Sequence, residues 1–182
     1  MQSFFPAQLG GATAEQFWRA VNRAQPSLIR TQADELTYSL HIMVRYELEK
    51  RLIDDSLAVR DLPGEWGRLY KEYLGIDVPD DRRGCLQDSH WSGGMFGYFP
   101  SYALGNAYGA QMLSCMQRDV GDIWPGVARG DLRKVRSWLK EHIHRFGCLY
   151  KPEELFANAC GAFDPTYYTD YLKTKYTELY RL

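Results

Sequence analysis

The chain alternates between stretches of helical period and one stretch without any. Thr13-Ala14-Glu15-Gln16 has the form of a capping box, and the apolar positions after it, Phe17, Ala20, Val21 and Ala24, recur at helical steps until Pro26 ends the run. From Thr31 to Asp54 the residues Leu36, Leu40, Met43, Val44, Leu48 and Leu52 recur every three or four positions, which predicts a long helix with that apolar face turned to a core. Asp61 and Pro63 open the next helix, through Trp66, Leu69, Tyr70 and Tyr73, and Gly75 is placed to stop it before a loop rich in Pro, Asp and Arg. Residues 84 to 100 have no helical period and are rich in glycine. They read as loop with room for one short strand.

Helical period resumes at Ser101 and runs to Val120, with Ala103, Gly105, Ala107, Gly109 and Ala110 keeping that helix thin enough for close backbone packing. Asp131 is a candidate cap for a helix carrying Leu132, Val135, Trp138, Leu139, Ile143 and Phe146, closed by a left-handed Gly147. Pro152, and Pro165 behind a capping Asp164, each mark a first helical turn. The fold class this predicts is all-α: about seven helices and one ordered Gly/Tyr-rich loop, in a single segment over residues 1–182.

Composition narrows the partners. Against 23 Asp and Glu stand 22 Lys and Arg, so the net charge of -1 offers no field for a nucleic-acid backbone or an anionic membrane. No apolar run approaches the 18 or so residues of a membrane span, and MQSFFPAQLGG lacks the form of a signal peptide, so the expected address is cytoplasmic. Cys85, Cys115, Cys148 and Cys160 form no CxxC pair and read as free, mostly buried thiols. Tyrosine, phenylalanine and tryptophan make 14% of the chain, and a Tyr-rich interior implies a polar cleft or a large interface.

The candidate chemistry is sparse at first sight. His142 and His144 are two apart on a helix, about 200° around its axis, so they point to solvent and not to a shared metal. His41 begins no HExxH motif, and none occurs in the chain. Asp34, Tyr38, His41, Arg45 and Glu49 form a second stripe on the long helix, whose default reading is a solvated charged face and whose alternative is the polar wall of a cleft. Arg30 precedes that helix, and the spacing slightly favours a local ion pair with Asp34 over binding of a ligand carboxylate. In GCLQDSHWSGGMFGYFPSYALGN, residues 84–106, Asp88 and His90 flank Ser89, but three adjacent residues do not make a serine triad. What remains is a set of hydrogen-bond donors, His90 and the tyrosines, aimed at a developing oxyanion.

Two stretches together resemble a known family. IRTQAD (29–34) is similar to an I/V-R-x-x-A-D motif and GCLQDSHW (84–91) to a G-x-x-Q-D-x-H-W motif of the carboxypeptidase Taq metallocarboxypeptidases; ELTYSLHIMVRYELEKRLI, DLPGEW, YLGI and GYFPSYALGN also look alike. The resemblance implies the C-terminal portion of a much longer all-α peptidase that holds zinc, or another divalent metal, through an HExxH segment and a further glutamate. This chain has none of those ligands. By the same resemblance Arg30 meets the carboxylate of a peptide C-terminus, and Asp34 orients that arginine or the neighbouring backbone. His90, with Tyr98 or Tyr102, donates to the oxyanion as the catalytic set. Gln87 and Asp88 belong to the substrate-binding side and, with Trp91, set the loop. The implied partners are the peptide substrate and either a second copy, as a homodimer, or the missing N-terminal half. A non-catalytic helical module and one half of a split peptidase are the alternative readings.

Overall fold

The computed structural model describes residues 1–182, and all of its regular structure is helical. In chain order the α-helices are α1 (Pro6–Leu9), α2 (Ala14–Val21), α3 (Glu35–Ile53), α4 (Leu62–Leu74), α5 (Pro100–Val120), α6 (Trp124–Val127), α7 (Arg133–His142), α8 (Pro152–Cys160) and α9 (Thr166–Tyr180). Single 3-10 turns occur at Arg30–Gln32, Val59–Asp61 and His144–Phe146. The two shortest helices, α1 and α6, were not expected, because four residues are too few to set up a period. Residues 84–99 form successive turns with no strand.

Two compact units divide the chain, Met1–Ala103 and Leu104–Leu182. In the first, α2 starts at a complete capping box, in which Thr13 accepts from the Gln16 amide and Gln16 accepts from the Thr13 amide. The long helix begins later than the periodicity implies. Asp34 is its N-cap in extended backbone, accepting from the Thr37 amide at 3.0 Å and the Thr37 hydroxyl at 2.9 Å. A cap of that shape interrupts helical geometry, so Arg30–Gln32 becomes a separate turn. At its other end the helix pair is closed by Gly75, whose φ of 72° ends α4 in the left-handed region.

The core of this unit lies between α3 and α4: Val44, Leu48, Leu57, Trp66, Leu69, Tyr70, Leu74 and Cys85 are buried together, with Leu40 and Leu52 partly buried against them. Leu36 and Met43, expected on the same face, are instead 39% and 46% exposed. They lie more than about 100° around the axis from Leu48, so a six-residue apolar series spread over five turns spans more of the helix than one packing partner covers.

In the second unit Cys115 and Met116 of α5 pack with Ile123 and with Trp138 of α7. Gln111, almost wholly buried, accepts from the Asp164 amide and donates to the carbonyls of Ala162 and Cys160, tying α5 to the link before α9. Tyr108 stacks on Phe156 at 4.3 Å between ring centroids. Gly105 and Gly109 do not serve close packing as expected, since a Cβ at either would meet nothing within 4 Å. Nor does α7 reach Phe146: it stops at His142, where Ile143 leaves helical backbone. The four cysteines are free thiols, of which Cys85 and Cys115 are buried and Cys148 is exposed. Burial and a hydrogen bond with Cys115 push the Cys160 thiol up to about 12.

The two sides of α3 should respond differently to truncation. Leu48→Ala is expected to lose about 2–5 kcal/mol of unfolding free energy and Met43→Ala less than about 1 kcal/mol, read from urea midpoints; equal losses would refute the assignment of faces.

Candidate functional site

The stripe expected to face solvent is buried. His41 and Arg45 have no exposed surface, and Glu49 is 7% exposed. Three polar side chains on one inner helix face require partners, and the turns of residues 84–99 supply them. Asp88 is the centre. Its Oδ1 accepts from Arg30 Nε at 3.1 Å and Nη2 at 2.7 Å, and its Oδ2 accepts from Arg45 Nε at 2.7 Å, with Arg45 Nη2 at 2.6 Å. Gln87 completes the clasp: its carbonyl accepts from the Arg30 amide at 2.9 Å and from Arg45 Nη2 at 2.8 Å, while its amide donates to the carbonyls of Leu28 and Arg83.

Further bonds extend this network into the core. Arg30 Nη1 donates to the Tyr38 hydroxyl at 3.0 Å. Arg45 Nη1 donates to the His41 carbonyl at 2.8 Å, and the His41 ring meets the Tyr70 hydroxyl at 3.1 Å. Tyr70 in turn donates to the Leu28 carbonyl. One turn further along α3, Glu49 accepts from Trp91 Nε1 at 2.7 Å and from the Gly97 amide. Gly97 has a φ of 76°, a conformation that presents its amide here and that side-chain-bearing residues rarely adopt. The guanidinium of Arg45 also lies over Trp66, 4.7 Å from the ring centre, and that of Arg30 over Tyr102 at 4.8 Å. Two arginines, Asp88 and Glu49 sum to zero charge.

Burial by itself would raise the Asp88 carboxyl, but the Arg30 hydrogen bond and the Arg45 charge outweigh it and hold the group below the usual carboxylate range. His41 moves the other way for an imidazole. Burial first, and then the neighbouring Arg45 charge, lower it to about 4, so it stays neutral.

At the edge of the clasp, His90 Nε2 meets the Tyr102 hydroxyl at 3.0 Å, and its ring packs on Phe99 at 4.4 Å. His90 Nδ1 is buried without a hydrogen-bond partner, 4.0 Å from Asp88 Oδ1. Tyr98 touches both rings, with centroids 5.9 Å from His90 and 5.4 Å from Tyr102, and is 48% exposed.

Arg30, Gln87, Asp88, His90, Tyr98 and Tyr102 therefore come together. Asp34 does not join them, and the local pair with Arg30 that spacing favoured is absent. Its oxygens are taken by Thr37 and by the Gln25 amide, and the 3-10 turn carries the Arg30 guanidinium to Asp88 instead. The solvated reading of the α3 stripe is likewise corrected. Arg45, His41 and Glu49 were visible as a stripe at helical spacing, but their partners lie between 29 and 43 residues away in the sequence, and no local pattern encodes that pairing.

The family described as Carboxypeptidase Taq (M32) metallopeptidase matches residues 1–176. The chain belongs to this family. It is 43% identical over 183 residues to "Carboxypeptidase 1" of Bacillus subtilis, covering 100% of this chain and 36% of that protein. Against "Thermostable carboxypeptidase 1" of Thermus thermophilus the identity is 41%, over 98% of this chain and 36% of the relative. The crystal structure of an M32 carboxypeptidase from Deinococcus radiodurans superposes with a TM-score of 0.95 at 42% identity, covering all of this chain and 37% of the other. The chain thus spans about a third of the length of these relatives.

The metal that the family description implies finds no ligand set among these residues. Nowhere do three His, Cys, Asp or Glu side chains stand where they could hold an ion, and the two buried imidazoles are bonded to tyrosines. The donors present do not fit a metal centre.

Two consequences are measurable. Asp88→Asn leaves two buried guanidinium groups without their shared anion and should destabilise the chain by about 3–5 kcal/mol, read by chemical denaturation; a loss under about 1 kcal/mol would show that the clasp is not structural. Because His41 is lowered in the folded chain, its contribution is complete above the unfolded value of about 6.5 and is lost as pH falls toward 4. Unfolding free energy should therefore drop by up to about 3 kcal/mol between pH 7 and 4, and His41→Gln should flatten that slope.

Proposed function

We propose that this chain is the substrate-side portion of a metal-dependent carboxypeptidase that hydrolyses the last peptide bond of peptides. The observation that carries the reading is convergence. Arg30 from the first family motif and Asp88 and His90 from the second, nearly 60 residues apart, meet in one hydrogen-bonded cluster beside Tyr102. Family membership supplies the reaction class.

In this reading Tyr102 is the oxyanion donor and His90, whose Nε2 is committed to that hydroxyl and whose Nδ1 is buried, acts through it. The imidazole sets the direction of the hydroxyl, and together they stabilise charge that develops on the scissile carbonyl. Tyr98, half exposed at the same edge, flanks the substrate. Arg30 is almost wholly buried and paired with Asp88, so the role proposed for it toward a terminal carboxylate falls to the two guanidinium N–H groups that Asp88 and Tyr38 do not take, with Asp88 and Gln87 holding the residue in one orientation. Asp34 acts further back, by fixing where α3 starts. The metal centre, zinc or another divalent ion, and the general base belong to the remaining two-thirds of the family's length, so residues 1–182 by themselves do not turn over. Four free thiols and the absence of any helix long and apolar enough to cross a membrane accord with a cytoplasmic setting.

The test is a chimera in which residues 1–182 replace the matching third of the Bacillus subtilis relative, assayed with zinc for release of C-terminal amino acids. The chimera should be active and the isolated chain inactive. In the chimera, Tyr102→Phe and His90→Gln should each lower kcat by about 100-fold to 1000-fold, with KM changed far less. A folded, metal-loaded chimera without peptidase activity defeats the reading, and full turnover in both variants defeats the donor roles.

A further inference from the structure

Two of the four thiols face each other inside the second unit. Cys115 of α5 is 1% exposed, and its thiol donates to the Cys160 carbonyl at 3.8 Å. Cys160, the last residue of α8, packs on the same apolar cluster and is only partly buried, so the pair is open to a small molecule from that side. The backbone around both is held in place. Gln111 lies one turn before Cys115 on the same side of α5, and its amide donates to the Cys160 carbonyl at 3.3 Å and the Ala162 carbonyl at 2.8 Å. Its own carbonyl accepts from the Asp164 amide. One sulphur in contact with the other cysteine's backbone, on two segments pinned one turn away, leaves side-chain rotation as the motion needed to join them.

We propose that Cys115 and Cys160 form a reversible oxidation site, which closes to a disulfide on exposure to hydrogen peroxide and reopens by exchange with a dithiol reductant. In the first step the Cys115 thiolate attacks one peroxide oxygen: the S–O bond forms, the O–O bond breaks, and the departing hydroxide takes up a proton as water. In the second the Cys160 sulphur attacks the Cys115 sulphur, the S–S bond forms, the S–O bond breaks, and the hydroxide leaves with the Cys160 proton as water. Two thiols lose two electrons and two protons, and one peroxide becomes two waters.

The surroundings divide the roles. Attacking thiolates stand beside cations, and the Arg118 guanidinium, bonded to Asp119, also bonds the Cys115 sulphur. Burial, and then the hydrogen bond and charge of Cys115, push the Cys160 thiol up to about 12. The charge of Cys115 disappears once that residue is oxidised, which releases Cys160 to attack only after the first step. A bond made this way is transient in a reducing compartment and ties α5 to the end of α8 while oxidant lasts.

The test uses the chain carrying Cys148→Ser, which removes the exposed thiol and leaves three. Hydrogen peroxide should lower the free thiols from three to one, give a Cys115–Cys160 linked peptide on non-reducing mass mapping, and be reversed by dithiothreitol. Closing a loop of about 45 residues should raise the melting temperature by about 5–10 °C. Adding Cys160→Ser, at the partly buried partner, should abolish both the linkage and the shift. Sulfenic or sulfinic acid that accumulates at Cys115 or Cys160 without a linkage would overturn the proposal, as would a linkage found only between two chains or only in denaturant. A linkage that lowers the melting temperature would also overturn it, because the helices would then have had to move. These readouts need neither metal nor turnover, so they stand or fall apart from the peptidase assay.

Discussion

Asp88 lies between two arginines that are almost completely out of water, and the geometry of the first unit follows from what those three groups require. A buried guanidinium is costly to desolvate and is tolerated where its N–H groups are answered, and here a single carboxylate answers both, one oxygen to each. Because Arg45 projects from the middle of α3 and Arg30 from the turn before it, fixing Asp88 fixes the turns of residues 84–99 against that helix. Gln87, next in the chain, uses its carbonyl and its amide to brace both arginines and the Leu28 and Arg83 carbonyls. The pairs at Glu49 do the same for the far end of the turns.

Such a clasp contributes little net stability compared with an apolar core of equal volume, and its value lies in orientation. Stacking on Trp66, Phe99 and Tyr102 holds each guanidinium plane in one attitude, and the last two rings are also the supports of His90. Position is thus passed from the α3–α4 core to the clasp, and from the clasp to the imidazole and hydroxyl at its edge. Under the function proposed for His90 and Tyr102, that chain of support keeps the two groups aligned before substrate binds.

The α3 helix explains why periodicity alone misread its surface. It has three working sides: an apolar one with Val44 and Leu48 in the core, a polar one with His41, Arg45 and Glu49 in the clasp, and an outer apolar one with Met43 and Tyr46. A reading that assigns one apolar face and one solvated face merges the first with the third and sends the second to water. The early signs of this were the tyrosine and histidine on the supposedly solvated stripe, residues whose polar atoms are commonly satisfied inside a protein.

The sequence by itself determined the helices wherever the determinant was local: the capping box at Thr13, the stop at Gly75, and the proline starts of α4 and α8. It also carried the two motifs by which the family is recognised, because a motif is a statement about neighbours along the chain. Tertiary structure decided that Arg30 turns to Asp88 and not to Asp34, that the α3 stripe is buried, and that Tyr102 rather than Tyr98 is bonded to His90. Each of these choices depends on which long-range partner satisfies a buried charge or hydrogen bond, a competition settled only when distant segments are brought out of water together.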